Sequence, residues 1–221
     1  MHISEGLLPA QVCFGGYGVT GLVTWYSLRQ INRQKDPTEG IPKASLLAAA
    51  FFIASSIHVP IPPTSVHFVL NGLLGTLLGY YAFPAIEIGL LFQAIAFGHG
   101  GLTTLGVNAT IMGIPALIAY HIFQLRFSLG RSLPRRWLTG LFAFLAGAIG
   151  LGLAVLVFFS IIIATIPAEL DVNTERTAIF GLMFAHIPLI ILEGIFTTML
   201  ALFLLRVKPE LLKSEESTTQ R

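Results

Sequence analysis

The sequence predicts an all-α polytopic membrane protein with seven transmembrane helices, the N-terminus outside and the C-terminus cytoplasmic. Three observations lead there. Only 11% of the 221 residues are charged and 54% are hydrophobic, with a mean hydropathy of +0.79; a soluble domain carries about a quarter charged residues. Apolar runs close to the ~20 residues that cross a bilayer recur along the chain. Lys and Arg gather in alternate loops, which sets orientation.

The runs fall at 7–28, 44–61, 65–83, 84–99, 107–126, 137–166 and 177–205. The first follows MHISEG, which has no Lys or Arg and so lacks the positive region of a cleavable signal peptide. Removal of Met1 favours a small second residue, and His2 is not small, so the mature chain is expected to begin Met-His with a free α-amine. Gly15, Gly16, Gly18 and Gly21 allow close helix approach, either inside the fold or against a partner subunit. The second and third runs are joined through VPIPPTSVH, where three prolines lock φ and stiffen the connection. The fourth is short and leads into GHGGLTTLGVN, whose glycines suit a re-entrant lid. The sixth is long enough to tilt.

Basic residues lie at Arg29, Arg33, Lys35 and Lys43, at Arg126, Arg131, Arg135 and Arg136, and at Arg206, Lys208, Lys213 and Arg221. Seven spans put these groups on one side, the cytoplasmic one, leaving Arg176 outside in AELDVNTER. Residues 1–208 read as one membrane-embedded domain in a bacterial or archaeal cell (inner) membrane. Residues 209–221 read as a polar, disordered tail.

Several functions are excluded. The single cysteine, Cys13, rules out an internal disulfide and a Cys-based zinc site. There is no G-x-x-x-x-G-K-[ST] phosphate loop and no H-E-x-x-H. No general-base motif points to an enzyme.

Under this topology His2, His58, His67 and His99 fall at the outer ends of four spans, His186 lies within the seventh, and His121 is toward the cytoplasm. Their convergence points to a metal site. Met-His has its own chelating chemistry. The terminal amine and the His2 amide nitrogen close a five-membered ring, and the imidazole Nδ1 closes a six-membered one. One dipeptide thus offers three nearly coplanar nitrogens. Such tetragonal nitrogen sites suit Ni(II) and Cu(II), and Co(II) accepts them. A second outer-face histidine would complete the plane. Gln93, Thr103, Thr104 and Asn108 can orient the imidazoles. His186 and Glu193, seven residues apart, share a helix face. They form a structural polar pair or, in an autonomous divalent-cation channel or ion-coupled transporter, a proton relay.

The motifs MHI-x-E-G-x-L-P, VPIPPTSVH-x-x-LNG, FGHGGLTTLGVN and AH-x-P-x-x-x-x-EG resemble the CbiM/NikM family. These are the substrate-binding subunits of energy-coupling-factor (ECF) transporters for cobalt and nickel. The resemblance covers the chain up to the polar tail. It implies seven helices with the N-terminus inserted in the core. It implies a metal held by the Met1 amine, the His2 amide and imidazole, and His67. His58, His99, Gln93, Thr103 and Asn108 would then support the site or form its lid. It also implies a Q-type coupling subunit, an O-type cytoplasmic ATPase and often a small N-type membrane subunit. No cofactor beyond the transported Co2+ or Ni2+ is expected.

Overall fold

The computed structural model describes residues 2–57, 59–61, 64–128, 134–166 and 172–212. Among these the chain is helical apart from one small hairpin. The elements are α1 (Ala10–Ile31), α2 (Ile41–Ser56), β1 (Val59–Ile61), β2 (Thr64–Val66), α3 (Asn71–Leu78), α4 (Ala82–Phe97), α5 (Leu105–Ser128), α6 (Arg135–Ala164), α7 (Val172–Ala185) and α8 (Ile187–Val207). The strands are antiparallel, with Val59 opposite Val66 and Ile61 opposite Thr64.

Among the described residues four stretches are long and apolar enough to cross a membrane: Asn71–Phe97, Leu105–Ser128, Arg135–Ala164 and Glu175–Val207. Large apolar side chains, including Phe14, Ile95, Trp137 and Met199, lie exposed on the helices. Apolar surface on this scale faces lipid, so the chain is a multi-pass membrane protein.

The stretch Asn71–Phe97 is not one straight rod. A continuous helix of that length would separate its ends by about 40 Å. Yet the His67 and His99 rings, which flank it, have centroids 5.8 Å apart. The chain therefore folds back, and the corner is at Gly79, with φ 59° and ψ −128°. A side chain rarely adopts that backbone conformation. A hydropathy window cannot see this turn, because Tyr80, Tyr81 and Ala82 keep the sequence apolar.

The helix expected over 65–83 is the main difference from the sequence reading. There Thr64–Val66 are extended and 67–70 irregular, α3 covers Asn71–Leu78, a 3-10 turn follows at Gly79–Tyr81, and Ala82–Phe83 already belong to α4. Likewise 59–61, expected at the end of the second run, form β1. Pro60 lies within this extended strand, where its lack of a backbone donor is better tolerated than inside a helix. The final span starts earlier than expected, at Val172, and breaks at His186. Pro188 in the first turn of α8 cannot donate to the preceding turn, so α7 and α8 meet at a joint.

Helices α5 and α6 form the packed centre. Gly72 and Gly75 of α3 lie against their backbones, and Gly16 of α1 lies against the Val107 backbone of α5. Gly16 thus serves internal packing, whereas a Cβ at Gly15, Gly18 or Gly21 would meet nothing within 4 Å.

Contacts at one end of the bundle gather its basic residues. The Tyr81 hydroxyl lies within hydrogen-bond distance of Gln34 Oε1 (2.9 Å) and the Pro37 carbonyl (2.8 Å). Lys43 donates to the Leu211 carbonyl at 3.2 Å, and Arg126 donates to the Leu212 carbonyl. Residues 209–212, expected to begin the tail, are thus docked, with Leu212 buried; 213–221 lie outside the described residues. Helix α4, about 24 Å long, separates this end from His99.

Candidate metal centre

The N-terminal segment is built into the fold by backbone bonds. The Ile3 N–H donates to Asn108 Oδ1 at 2.9 Å, and Asn108 Nδ2 returns a bond to the Ile3 carbonyl at 3.0 Å. The Thr104 hydroxyl donates to the same carbonyl at 2.8 Å. The Glu5 N–H donates to the Gly100 carbonyl at 3.0 Å, and the Glu5 carboxylate accepts the Thr103 N–H at 3.3 Å. Ile3 is buried among apolar side chains. Residues 3–5 are therefore tied to the turn and first helical residues at 100–108, and His2 sits at the end of this anchored stretch.

There His2 meets His67 and His99. One ligand atom from each of these imidazoles lies within 4.8 Å of the others. The His2 ring is 5.1 Å from that of His67, at 31°, and 4.3 Å from that of His99, at 71°. So His2 and His67 are the more nearly parallel pair, and His99 stands edge-on to both. His67 Nδ1 is 3.1 Å from the Phe68 carbonyl. A carbonyl only accepts, so this bond puts the proton on Nδ1 and makes Nε2 the ring nitrogen that carries a lone pair. Both His2 ring nitrogens are shut off from solvent, and Gln93 is a polar side chain beside the ring. Burial, with His67 and His99 alongside, holds the His2 pKa well below the ordinary histidine value. The ring is then neutral, the form that binds a metal.

The other expected site residues divide. Gln93 is buried, lies against His2 and donates through Nε2 to Ser55 Oγ. Asn108 acts on the backbone of Ile3 rather than on an imidazole. Thr103 is exposed and contributes its N–H; the buried hydroxyl belongs to Thr104. His58 lies outside the described residues. His186 and Glu193 take separate partners. His186 Nδ1 is 2.8 Å from the Leu182 carbonyl, and its ring meets Phe159. Glu193 accepts from the backbone beside His67. Sequence reasoning gave no role to Glu5 or Ile3. The signal for Glu5 lay in the motif MHI-x-E-G, but its partner is about a hundred residues away.

Asn108→Ala leaves the Ile3 N–H buried and unpaired, which costs about 1–3 kcal/mol. About 1.4 kcal/mol is tenfold in affinity. The expected result is roughly tenfold or weaker Co2+ affinity with unchanged helix content, measured by titration and circular dichroism. Unchanged affinity would show that anchoring Ile3 does not control the site.

A family model described as CbiM, cobalt uptake substrate-specific transmembrane region, matches residues 2–211. The chain is 35% identical over 220 residues to a "Putative metal transport protein" of Haemophilus influenzae, covering 98% of this chain and 99% of that one. It is 34% identical to a "Putative cobalt transport protein CbiM" of Methanococcus voltae, covering 96% and 94%. It is 28% identical to a "Putative fused nickel transport protein NikMN" of Archaeoglobus fulgidus, covering 97% of this chain and 69% of that one. A crystal structure of a truncated transition metal transporter superimposes with TM-score 0.77 at 26% identity, covering 94% of this chain and 99% of that one. A match from His2 to Leu211 in sequence, with the same fold in three dimensions, means that the chain belongs to the CbiM family of cobalt-uptake transmembrane proteins.

Proposed function

We propose that this chain is the substrate-capture membrane subunit of an ATP-driven, ECF-type uptake transporter for Co2+ or Ni2+. The observation that carries the reading is the convergence of His2, His67 and His99, with ligand atoms within 4.8 Å, around the second residue of the chain. The Met1 amine, the His2 amide nitrogen and the His2 imidazole supply three nitrogens, and His67 Nε2 supplies the fourth. The metal ion is cargo, and the chain binds it without chemical conversion. His99 stands against this set as part of the lid, with Gln93 beneath.

In this reading the chain forms a seven-leg bundle with the N-terminus outside and the basic end cytoplasmic, α3 and α4 counting as separate legs. Metal enters from outside, loses water to the nitrogen donors and is enclosed by the 98–104 loop. This chain has no phosphate-loop sequence, so energy comes from an O-type cytoplasmic ATPase through a Q-type coupling subunit. A small N-type subunit assists; the fused relative from Archaeoglobus fulgidus, longer than this chain, agrees with such a partner.

The test is uptake of radioactive Co2+ and Ni2+ by cells lacking other importers. Uptake requires co-expression of the coupling subunit and an active ATPase. Equal uptake by this chain alone would overturn the reading in favour of an autonomous transporter. His99→Ala is expected to weaken metal affinity by about 10–100-fold, the range for groups that orient ligands, without abolishing binding. Loss as complete as in a His67 variant would make His99 a direct ligand.

A further inference from the structure

We infer that Glu193, in the second turn of α8, is the positioning residue that aims His67 at the metal. The inference rests on the reading of His67 as a ligand. Glu193 is 1% exposed. Its Oε1 accepts the N–H of Leu70 at 3.0 Å and the N–H of Val69. These amides are two and three residues beyond His67, at the corner where the chain enters α3. The side chain that caps this corner comes from more than 120 positions away, and the N-cap residue Leu70 makes no side-chain cap bond of its own.

The corner needs an external hold. Leu70 has φ 54°, the single positive φ at a non-glycine among the described residues. A branched side chain disfavours that conformation, which persists only where the surroundings impose it. Glu193 imposes it by drawing two successive N–H groups onto one oxygen. The result travels directly to the ligand. Phe68 is the one residue between His67 and the held Val69 amide, and its carbonyl orients His67 Nδ1. Rotating the 68–69 peptide would turn that carbonyl and, with it, the imidazole.

Helix α3 has an independent tether. Asn71 is fully buried and donates through Nδ2 to the Met112 carbonyl (3.2 Å) and the Gly150 carbonyl (3.0 Å). Truncating Glu193 therefore leaves α3 docked on α5 and α6 and frees chiefly 67–70. That separates a positioning role from a general structural one. It also means that α8 holds the backbone of the His67 arm while its C-terminal extension touches the basic end through Leu211 and Leu212.

The experiment uses the purified full chain in detergent, with Cu2+ as the probe. Cu2+ favours tetragonal nitrogen sites and should remain on the Met1–His2 nitrogens when His67 is lost. Electron paramagnetic resonance then counts nitrogen donors. The expected pattern is four nitrogens in the parent chain, three in His67→Ala and three in Glu193→Ala. Co2+ affinity in Glu193→Ala should fall by about 10–100-fold. Adding Glu193→Ala to His67→Ala should change nothing further, since one acts through the other. Glu193→Gln, which keeps an accepting carbonyl, should restore four nitrogens. Glu193→Asp, one methylene shorter, gives a second readout if Glu193→Ala does not accumulate, and should bind Co2+ more weakly than the parent. Four nitrogens in Glu193→Ala, parent affinity in Glu193→Asp, or equal Glu193→Ala losses with and without His67 would overturn the inference. If His67→Ala itself kept four nitrogens, the ligand reading of His67 would fall first.

Discussion

His2→Gln abolishes specific Co2+ and Ni2+ binding while the protein accumulates in the membrane with its helices intact. Both halves of that expected result have physical reasons. The polar side chain beside the His2 ring, Gln93, has its own hold on Ser55, so removing the ring leaves the bonds that anchor the fold in place. The N-terminal segment is held instead by Ile3 and Glu5. Binding, by contrast, would lose a donor of the proposed ligand set and the six-membered chelate ring that would bring it into one plane with the amine and amide nitrogens. The expected loss exceeds the ~10–100-fold typical of groups that merely orient a ligand. Glutamine is preferred to alanine here. Alanine in second position is small and would promote removal of Met1, confounding loss of the imidazole with loss of the amine. Isothermal titration and metal content after growth in mixed Co2+ and Ni2+ measure the outcome. Parent-like affinity in His2→Gln would remove the N-terminus from the site.

A companion variant inserts one glutamine, too large to promote removal of Met1, between Met1 and His2. The histidine stays beside Ile3, and it becomes the third residue of the chain. A position-three histidine lets amine, two amides and imidazole supply all four nitrogens. Binding should then survive His67→Ala. If it does not, His67 has a structural role besides ligation.

The largest stability effect is expected at Gly75. A Cβ there would lie 1.9 Å from the Ala116 carbonyl oxygen and 2.8 Å from its carbon, both α5 backbone. Helix α3 cannot back away, because a Cβ at Gly72, on the same helix, would lie 2.5 Å from the Ala146 carbonyl oxygen of α6. Gly75→Ala therefore forces an eight-residue helix out of its slot between two long ones. Overpacking typically costs about 1–3 kcal/mol and more where nothing can yield. Backbone on both sides places this site at or above the upper end. The expected result is a large fall in melting temperature, or failure to accumulate as folded protein, with metal binding lost because His67 precedes this helix. Gly18→Ala is the control. Its Cβ meets nothing within 4 Å, and its melting temperature should match the parent. Equal behaviour of the two variants would show that close approach at Gly75 is not needed.

Much of the architecture was legible because hydropathy is a local average. Helices α1, α5 and α6 lie within a few residues of the apolar runs that predicted them. The region from 57 to 83 was harder. Pro60 ends helical pairing, Leu70 takes a positive φ, and Gly79 reverses the chain, all inside sequence that stays apolar. The single polar feature that explains the Leu70 corner, Glu193, sits on α8. Its sequence neighbourhood suggested His186 as a partner, since seven residues share a helix face. In the fold His186 turns to the Leu182 carbonyl and Glu193 to Val69 and Leu70.

By itself the sequence determined that the chain lives in a membrane and that Met-His can chelate a divalent ion. Both follow from atoms adjacent along the chain: runs of apolar side chains, and an amine, an amide and an imidazole within one dipeptide. Only the tertiary structure decided which imidazoles meet. His2, His67 and His99 come together because Asn108 and Thr104 hold Ile3, and because the chain folds back at Gly79. Glu193 then sets the approach to His67. Those bonds join residues more than a hundred positions apart, where no local pattern in the sequence can register them.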